Sequence, residues 1–90
     1  MKVTPDPGKR NATLKDRGLD FADAAQVFDS KHAVIEDARR DYGEKRYISA
    51  CYLQDRIVVI AWTPRAEARH VFSMRWCHEE EAADWRKLLD

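Results

Sequence analysis

The chain has 90 residues, of which 44% are apolar and 10% aromatic, enough for one domain with a small core and too few for a second. Its 16 Lys/Arg balance 16 Asp/Glu, which argues against strong non-specific nucleic-acid binding, although residues 39–75 carry eight Lys/Arg against four Asp/Glu. The longest apolar run is six residues, Ile57–Trp62, too short to span a membrane, and Met1-Lys2 leads into Thr4, Pro5, Asp6 and Pro7 rather than an apolar leader, so a cytoplasmic location is expected.

Asp6-Pro7 reads as a helix start, because Asp caps free N–H groups and Pro suits the first helical position. The polar stretch Gly8 to Arg17 would follow as a surface helix, stopped by Gly18. Asp20 caps a second helix whose apolar stripe is Phe21, Ala24, Ala25 and Phe28, with Leu19 stapling its entry against Ala24. Ala33-Val34-Ile35 is a short strand, and Glu36 to Gly43 a mobile loop.

A turn at Gly43-Glu44-Lys45-Arg46 opens the strand Tyr47–Leu53. After a polar break at Gln54, Asp55 and Arg56 comes Ile57–Trp62, apolar on both alternating faces and therefore a central strand. Thr63-Pro64-Arg65 separates it from a third run, Arg69–Arg75. There, alternation puts His70, Phe72 and Met74 on one face and Arg69, Val71, Ser73 and Arg75 on the other. Loops this short exclude crossover helices, so the three strands pair antiparallel. A final helix, Glu79–Leu89, buries Ala82, Trp85 and Leu89, with Glu81 at the capping-box position if His78 is the cap. The fold class is α+β: a small antiparallel sheet, made of a three-stranded meander plus a short extra strand, packed against N-terminal helices and a C-terminal helix in one domain over residues 1–90.

Arginines stand at nearly every strand junction (Arg46, Arg56, Arg65, Arg69, Arg75), and a sheet edged with guanidinium groups can hold phosphate. His70 reads as packed, His78 as a cap or solvent-facing, and His32 as a loop residue. Cys51 and Cys77 are expected as reduced thiols. Neither metal-ligand spacing nor a Gly-rich phosphate loop is present, so no cofactor is expected. Trp62, Trp76 and Trp85 serve either as core or as anchors of a protein interface.

In order along nearly the whole chain, Asp6 and Lys9, Asn11, Lys15 and Gly18, Phe21, Ala24, Val27 and Phe28, Gly43-Glu44-x-Arg46, Thr63-x-Arg65, Ser73-x-Arg75, and Glu81 with Trp85 resemble the BrnT toxins of bacterial type II toxin–antitoxin pairs. The chain departs from that pattern at Pro5 (a Trp in the family), Arg17 (His) and Trp76 (a basic residue), and in its acidic tail. The resemblance implies a RelE-like fold and a ribonuclease that blocks translation. It also implies neutralisation by a cognate BrnA-like antitoxin, with operator DNA reached only through that antitoxin. RNA cleavage without a metal needs a group to deprotonate the 2′-hydroxyl, a donor for the leaving 5′-oxygen and cations around the phosphorane. The candidates are Arg46, Arg65, Arg75 and Arg17 as cations, with Glu44 as a base or as the partner orienting Arg46. The alternatives are a catalytically inactive BrnT-like module that binds an antitoxin or DNA-binding partner, and a stand-alone structural domain.

Overall fold

A computed structural model describes residues 2–5 and 23–90. The helix expected over Gly8 to Arg17, its stop at Gly18, the Leu19, Asp20 and Phe21 assignments and the candidate Arg17 lie outside the described residues. In chain order the elements are β1 (Lys2–Pro5), α1 (Ala24–Asp29), β2 (Ala33–Glu36), β3 (Tyr47–Leu53), β4 (Arg56–Arg65), β5 (Ala68–Trp76) and α2 (Glu79–Leu89). The strands form one mixed sheet in the order β1-β5-β4-β3-β2. The pairs β2–β3, β3–β4 and β4–β5 are antiparallel, whereas β1 runs parallel to β5.

The all-antiparallel, four-stranded expectation is therefore corrected to five strands. A four-residue edge strand pairing with residues 66 positions away leaves no hairpin signal, and its terminal Pro5 is tolerated only because the strand lies at an edge. Thr63, Pro64 and Arg65 also belong to β4 rather than to a break, since Arg65 pairs with Ala68 across a two-residue turn. Pro64 lies past the last β3–β4 pair, Tyr47↔Trp62, so its missing N–H interrupts no ladder between β3 and β4.

β4 sits mid-sheet and is buried on both faces. Val58, Ile60 and Trp62 join Cys51, Val71 and Met74 in a core closed by Ala24, Val27 and Phe28 of α1. On the opposite face Ile57 and Val59 pack with Ala50 against Ala82, Trp85 and Leu89 of α2. Each of the fully buried Ile60, Met74, Val58 and Val71 contributes about 1.5–3 kcal/mol by burial. In α1 the buried stripe is Ala24, Val27 and Phe28, and Ala25 faces solvent. Trp62 and Trp85 are core, 7% and 8% exposed; Trp62 Nε1 donates to Ser49 Oγ at 2.8 Å. The half-buried Trp76 carries the Arg56 guanidinium 4.1 Å above its ring.

The acidic first turn and basic last turn of α2 match its dipole. Glu81 accepts the His78 backbone N–H at 3.1 Å and also takes both guanidinium nitrogens of Arg75, with Arg75 Nη2 at 3.2 Å from Oε2. The Arg75 hydrogen bonds are the main reason that the Glu81 carboxyl is lowered from 4.5 to about 2. A carboxyl depressed in the folded state stabilises the fold above its ordinary pKa, and that contribution fades as pH falls through the folded value. Glu81→Gln is thus expected to cost about 1 kcal/mol at pH 7, small because both side chains are partly exposed, with the deficit shrinking between pH 4.5 and pH 2. Thermal unfolding of both proteins across that window checks it; a deficit independent of pH would contradict it.

The β3–β4 turn is formed by Gln54 (φ 54°) and Asp55 (φ 65°). Two central residues at positive φ are the mark of a type I′ hairpin, for which Asn-Gly is the preferred pair. Replacing Gln54-Asp55 with Asn-Gly should stabilise the chain by about 0.5–1 kcal/mol, raising Tm by a few degrees. A lower Tm in a thermal melt would rule that out.

Candidate active site

An irregularity in β5 builds the site. Ala61 pairs with Ser73 but Trp62 pairs with Val71, so Phe72 is an extra residue, a β-bulge. The bulge resets the alternation, and the expected faces of β5 are corrected accordingly. Val71 and Met74 are both fully buried in the α1-side core, and the half-buried Arg69 lies on that same face. The Arg69 guanidinium lies 4.3 Å from the Phe28 ring centre and 5.1 Å from that of Trp62. His70, Phe72 and Arg75 share the opposite face, with Arg75 beside Val59 and His70 beside Thr63.

α2 covers one end of that face, reaching Ile48 and Val59. At the other end, side chains from the start of β3, the end of β4 and β5 meet at the Phe72 ring. Arg46, just before β3, places its guanidinium carbon 4.3 Å from the Phe72 centroid and 4.2 Å from that of Tyr42, a slot between two aromatic faces. Arg65, closing β4, lies 5.6 Å from the same Phe72 ring. His70 meets Phe72 edge-on at 5.3 Å, and its Nδ1 lies 3.1 Å from Thr4 Oγ1 of β1. The strand that sequence reasoning omitted therefore orients the histidine.

One carboxylate serves both arginines. Glu44 Oε1 stands 3.4 Å from Arg46 Nε, 3.4 Å from Arg46 Nη2 and 3.8 Å from Arg65 Nη2. The Arg46 Nε contact does not meet hydrogen-bond geometry, so this buried N–H has no hydrogen-bond partner among the described residues. Two cations around one anion leave a positive excess. Arg65 is 53% exposed and Arg46 and Glu44 32%, so these pairs are individually weak and open to exchange. A phosphodiester, with two non-bridging acceptor oxygens, can replace the carboxylate and engage both guanidiniums.

Of the residues singled out from sequence, Arg46, Arg65 and Glu44 come together. Arg75 is on the same face but is bound to Glu81. Arg69 packs over Phe28 on the α1 face and Arg56 over Trp76, so the arginines at the strand junctions do not form one patch. Tyr42, Phe72 and His70 are the site residues that sequence reasoning missed. The His70 and Phe72 assignments depend on a bulge without a sequence mark, and Tyr42 sits in a segment read as a mobile loop. Among the described residues no group of three or more His, Cys, Asp or Glu is placed to hold a metal ion. Cys51 and Cys77 are free thiols, and burial pushes both above their ordinary pKa, which makes them poor nucleophiles.

Comparison with known proteins places this chain in a family. The family profile described as "Ribonuclease toxin, BrnT, of type II toxin-antitoxin system" matches residues 6–81. The crystal structure of the Brucella abortus ribonuclease toxin BrnT is similar, with a TM-score of 0.69 and 28% sequence identity over 88% of this chain and 99% of that one. Comparison with curated protein sequences gives no match. With most of its length matched, this chain belongs to the BrnT family of ribonuclease toxins of type II toxin–antitoxin systems.

Proposed function

We propose that the chain cleaves RNA without a metal ion, in the cytoplasm and as one RelE-like domain, and thereby blocks translation until a BrnA-like antitoxin neutralises it. The observation that carries this reading is the convergence of Arg46 and Arg65 on Phe72 around a single exchangeable carboxylate. Magnesium-dependent nucleases gather carboxylates around their ions, whereas this face gathers cations. Glu44, the carboxylate beside Arg46 and Arg65, is already shared between these two arginines, which suits an orienting role better than that of a base.

In this mechanism the scissile phosphate displaces Glu44, and Arg46 and Arg65 hold its non-bridging oxygens as charge develops on them. The 2′-oxygen bonds to phosphorus, the bond to the 5′-oxygen breaks, and the products are a cyclic phosphate and a 5′-hydroxyl. His70 is the proposed proton carrier, because its ring stands beside Phe72 with one nitrogen engaged by Thr4. Arg75, bound to Glu81 and to the Trp76 carbonyl, secures the adjoining edge rather than the phosphate. Arg17 remains a proposed further cation outside the described residues.

The carboxylate partners of Arg46, Arg65 and Arg75 also favour a second reading, a module that binds the antitoxin but no longer cuts. Incubation of purified protein with single-stranded RNA in EDTA separates the two. Cleavage is expected, with DNA of the same sequence left intact because it lacks the 2′-hydroxyl. Arg46→Ala and Arg65→Ala should each lower kcat/KM by about 10–100-fold, and His70→Ala should lower kcat by at least about 100-fold. Uncut RNA with protein that is folded by circular dichroism would reject the nuclease reading in favour of the binding module.

A further inference from the structure

The segment between β2 and β3 closes on one buried carboxylate. The Asp37 side chain is 5% exposed, an unusual place for an acid in so small a protein. Arg39 grips it from outside: Nε reaches Oδ1 and Nη2 reaches Oδ2, each at 2.8 Å, and the Arg39 backbone N–H adds a third bond to Oδ1 at 3.3 Å. Arg39 itself is 76% exposed, so the pair neutralises the acid without burying a second charge. The Arg39 hydrogen bonds hold the Asp37 carboxyl well below the usual carboxylate range, so the anion persists at working pH.

The remaining contacts of Asp37 lead to the candidate site. Its carboxylate accepts the Tyr42 hydroxyl at 3.1 Å, and its backbone N–H donates to the Arg46 carbonyl at 2.8 Å. Tyr42 is one of the two rings that enclose the Arg46 guanidinium; Phe72 is the other. Asp37 thus fixes Arg46 at its backbone and, through Tyr42, at the end of its side chain. Phe72 is anchored in the sheet, whereas Tyr42 is carried by a segment without regular structure and needs a tether of its own.

We propose that Asp37 is a positioning residue for RNA cleavage: through Tyr42 it closes the aromatic slot that aims the Arg46 guanidinium at the scissile phosphate. This rests on the role given to Arg46 above. A long, flexible side chain loses rotamer freedom when it binds phosphate, and a slot that has already fixed it lowers that cost. A residue that only folded the loop would act on stability and not on this geometry.

The test compares Asp37→Asn, Tyr42→Phe, the double variant and Arg46→Ala on a single-stranded RNA oligonucleotide, alongside NMR of the Arg46 side chain. Tyr42→Phe keeps the ring and removes only the hydroxyl bonded to Asp37, so it decides the matter even if Asp37→Asn fails to fold. In the native protein the rings on either side should shift the Arg46 δ-methylene protons upfield. Tyr42→Phe and Asp37→Asn should each reduce that shift and lower kcat/KM about 5–20-fold, and the double variant should be no worse than the single ones. The proposal is overturned by Tyr42→Phe at native activity beside an impaired Arg46→Ala, by losses that add in the double variant, or by unmoved Arg46 resonances. Native activity in Arg46→Ala itself would overturn the assignment of Arg46, and that of Asp37 with it.

Discussion

The structure depends on β4 being apolar on both faces. A strand with Val58, Ile60 and Trp62 on one side and Ile57 and Val59 on the other must be covered twice. That requirement places β4 mid-sheet, sets α1 and α2 on opposite faces, and leaves the charged ends of neighbouring strands at the rim. α2 has 11 residues, and its apolar side packs on Ile57 and Val59, toward the end of β4 away from Arg65. The site occupies the part of the face that the helix leaves open. Position here follows from how far a short helix extends along a ten-residue strand.

Within that face two arginine–carboxylate groups contrast in energy. Arg75 meets Glu81 with two guanidinium nitrogens, and Glu81 is also held by the backbone at the start of α2, so releasing Arg75 would loosen the helix. Glu44 meets Arg46 and Arg65 through one oxygen, at 3.4 and 3.8 Å, in a partly exposed setting where such pairs contribute at most about 1 kcal/mol. Phosphate can take over the second arrangement cheaply and the first only at the expense of the fold. The arrangement thus separates a structural arginine from two available ones, although all three stand at strand ends or on an open strand face.

Much of the sheet was legible in the residues. The strand-like run Tyr47–Leu53, the two-faced run from Ile57 and the short strand Ala33–Ile35 all correspond to observed strands, and Glu79–Leu89 is the expected helix with Ala82, Trp85 and Leu89 buried. Each is a local pattern, fixed by periodicity or capping. What escaped notice was non-local or aperiodic. β1 is four residues long and finds its partner far along the chain, Thr63–Arg65 extends a strand through a proline, and the Phe72 bulge shifts alternation without a glycine to announce it. The bulge matters most for the site, because it puts His70 and Phe72 on the opposite face from the buried Met74, where Arg46 and Arg65 meet Phe72. Likewise, the composition of Glu36 to Gly43 is that of a solvated loop, and only coordinates reveal that Arg39 and Tyr42 fold back on Asp37.

The central claim is that Arg46 and Arg65 form one phosphate cradle whose resting occupant is Glu44. A crystal structure of the protein bound to RNA made uncleavable by 2′-O-methylation addresses it most directly. The account expects one phosphate with oxygens about 2.7–2.9 Å from both guanidiniums, Glu44 turned away, and the Arg75–Glu81 pair undisturbed. RNA seated elsewhere, with Glu44 still joined to Arg46 and Arg65, would contradict it.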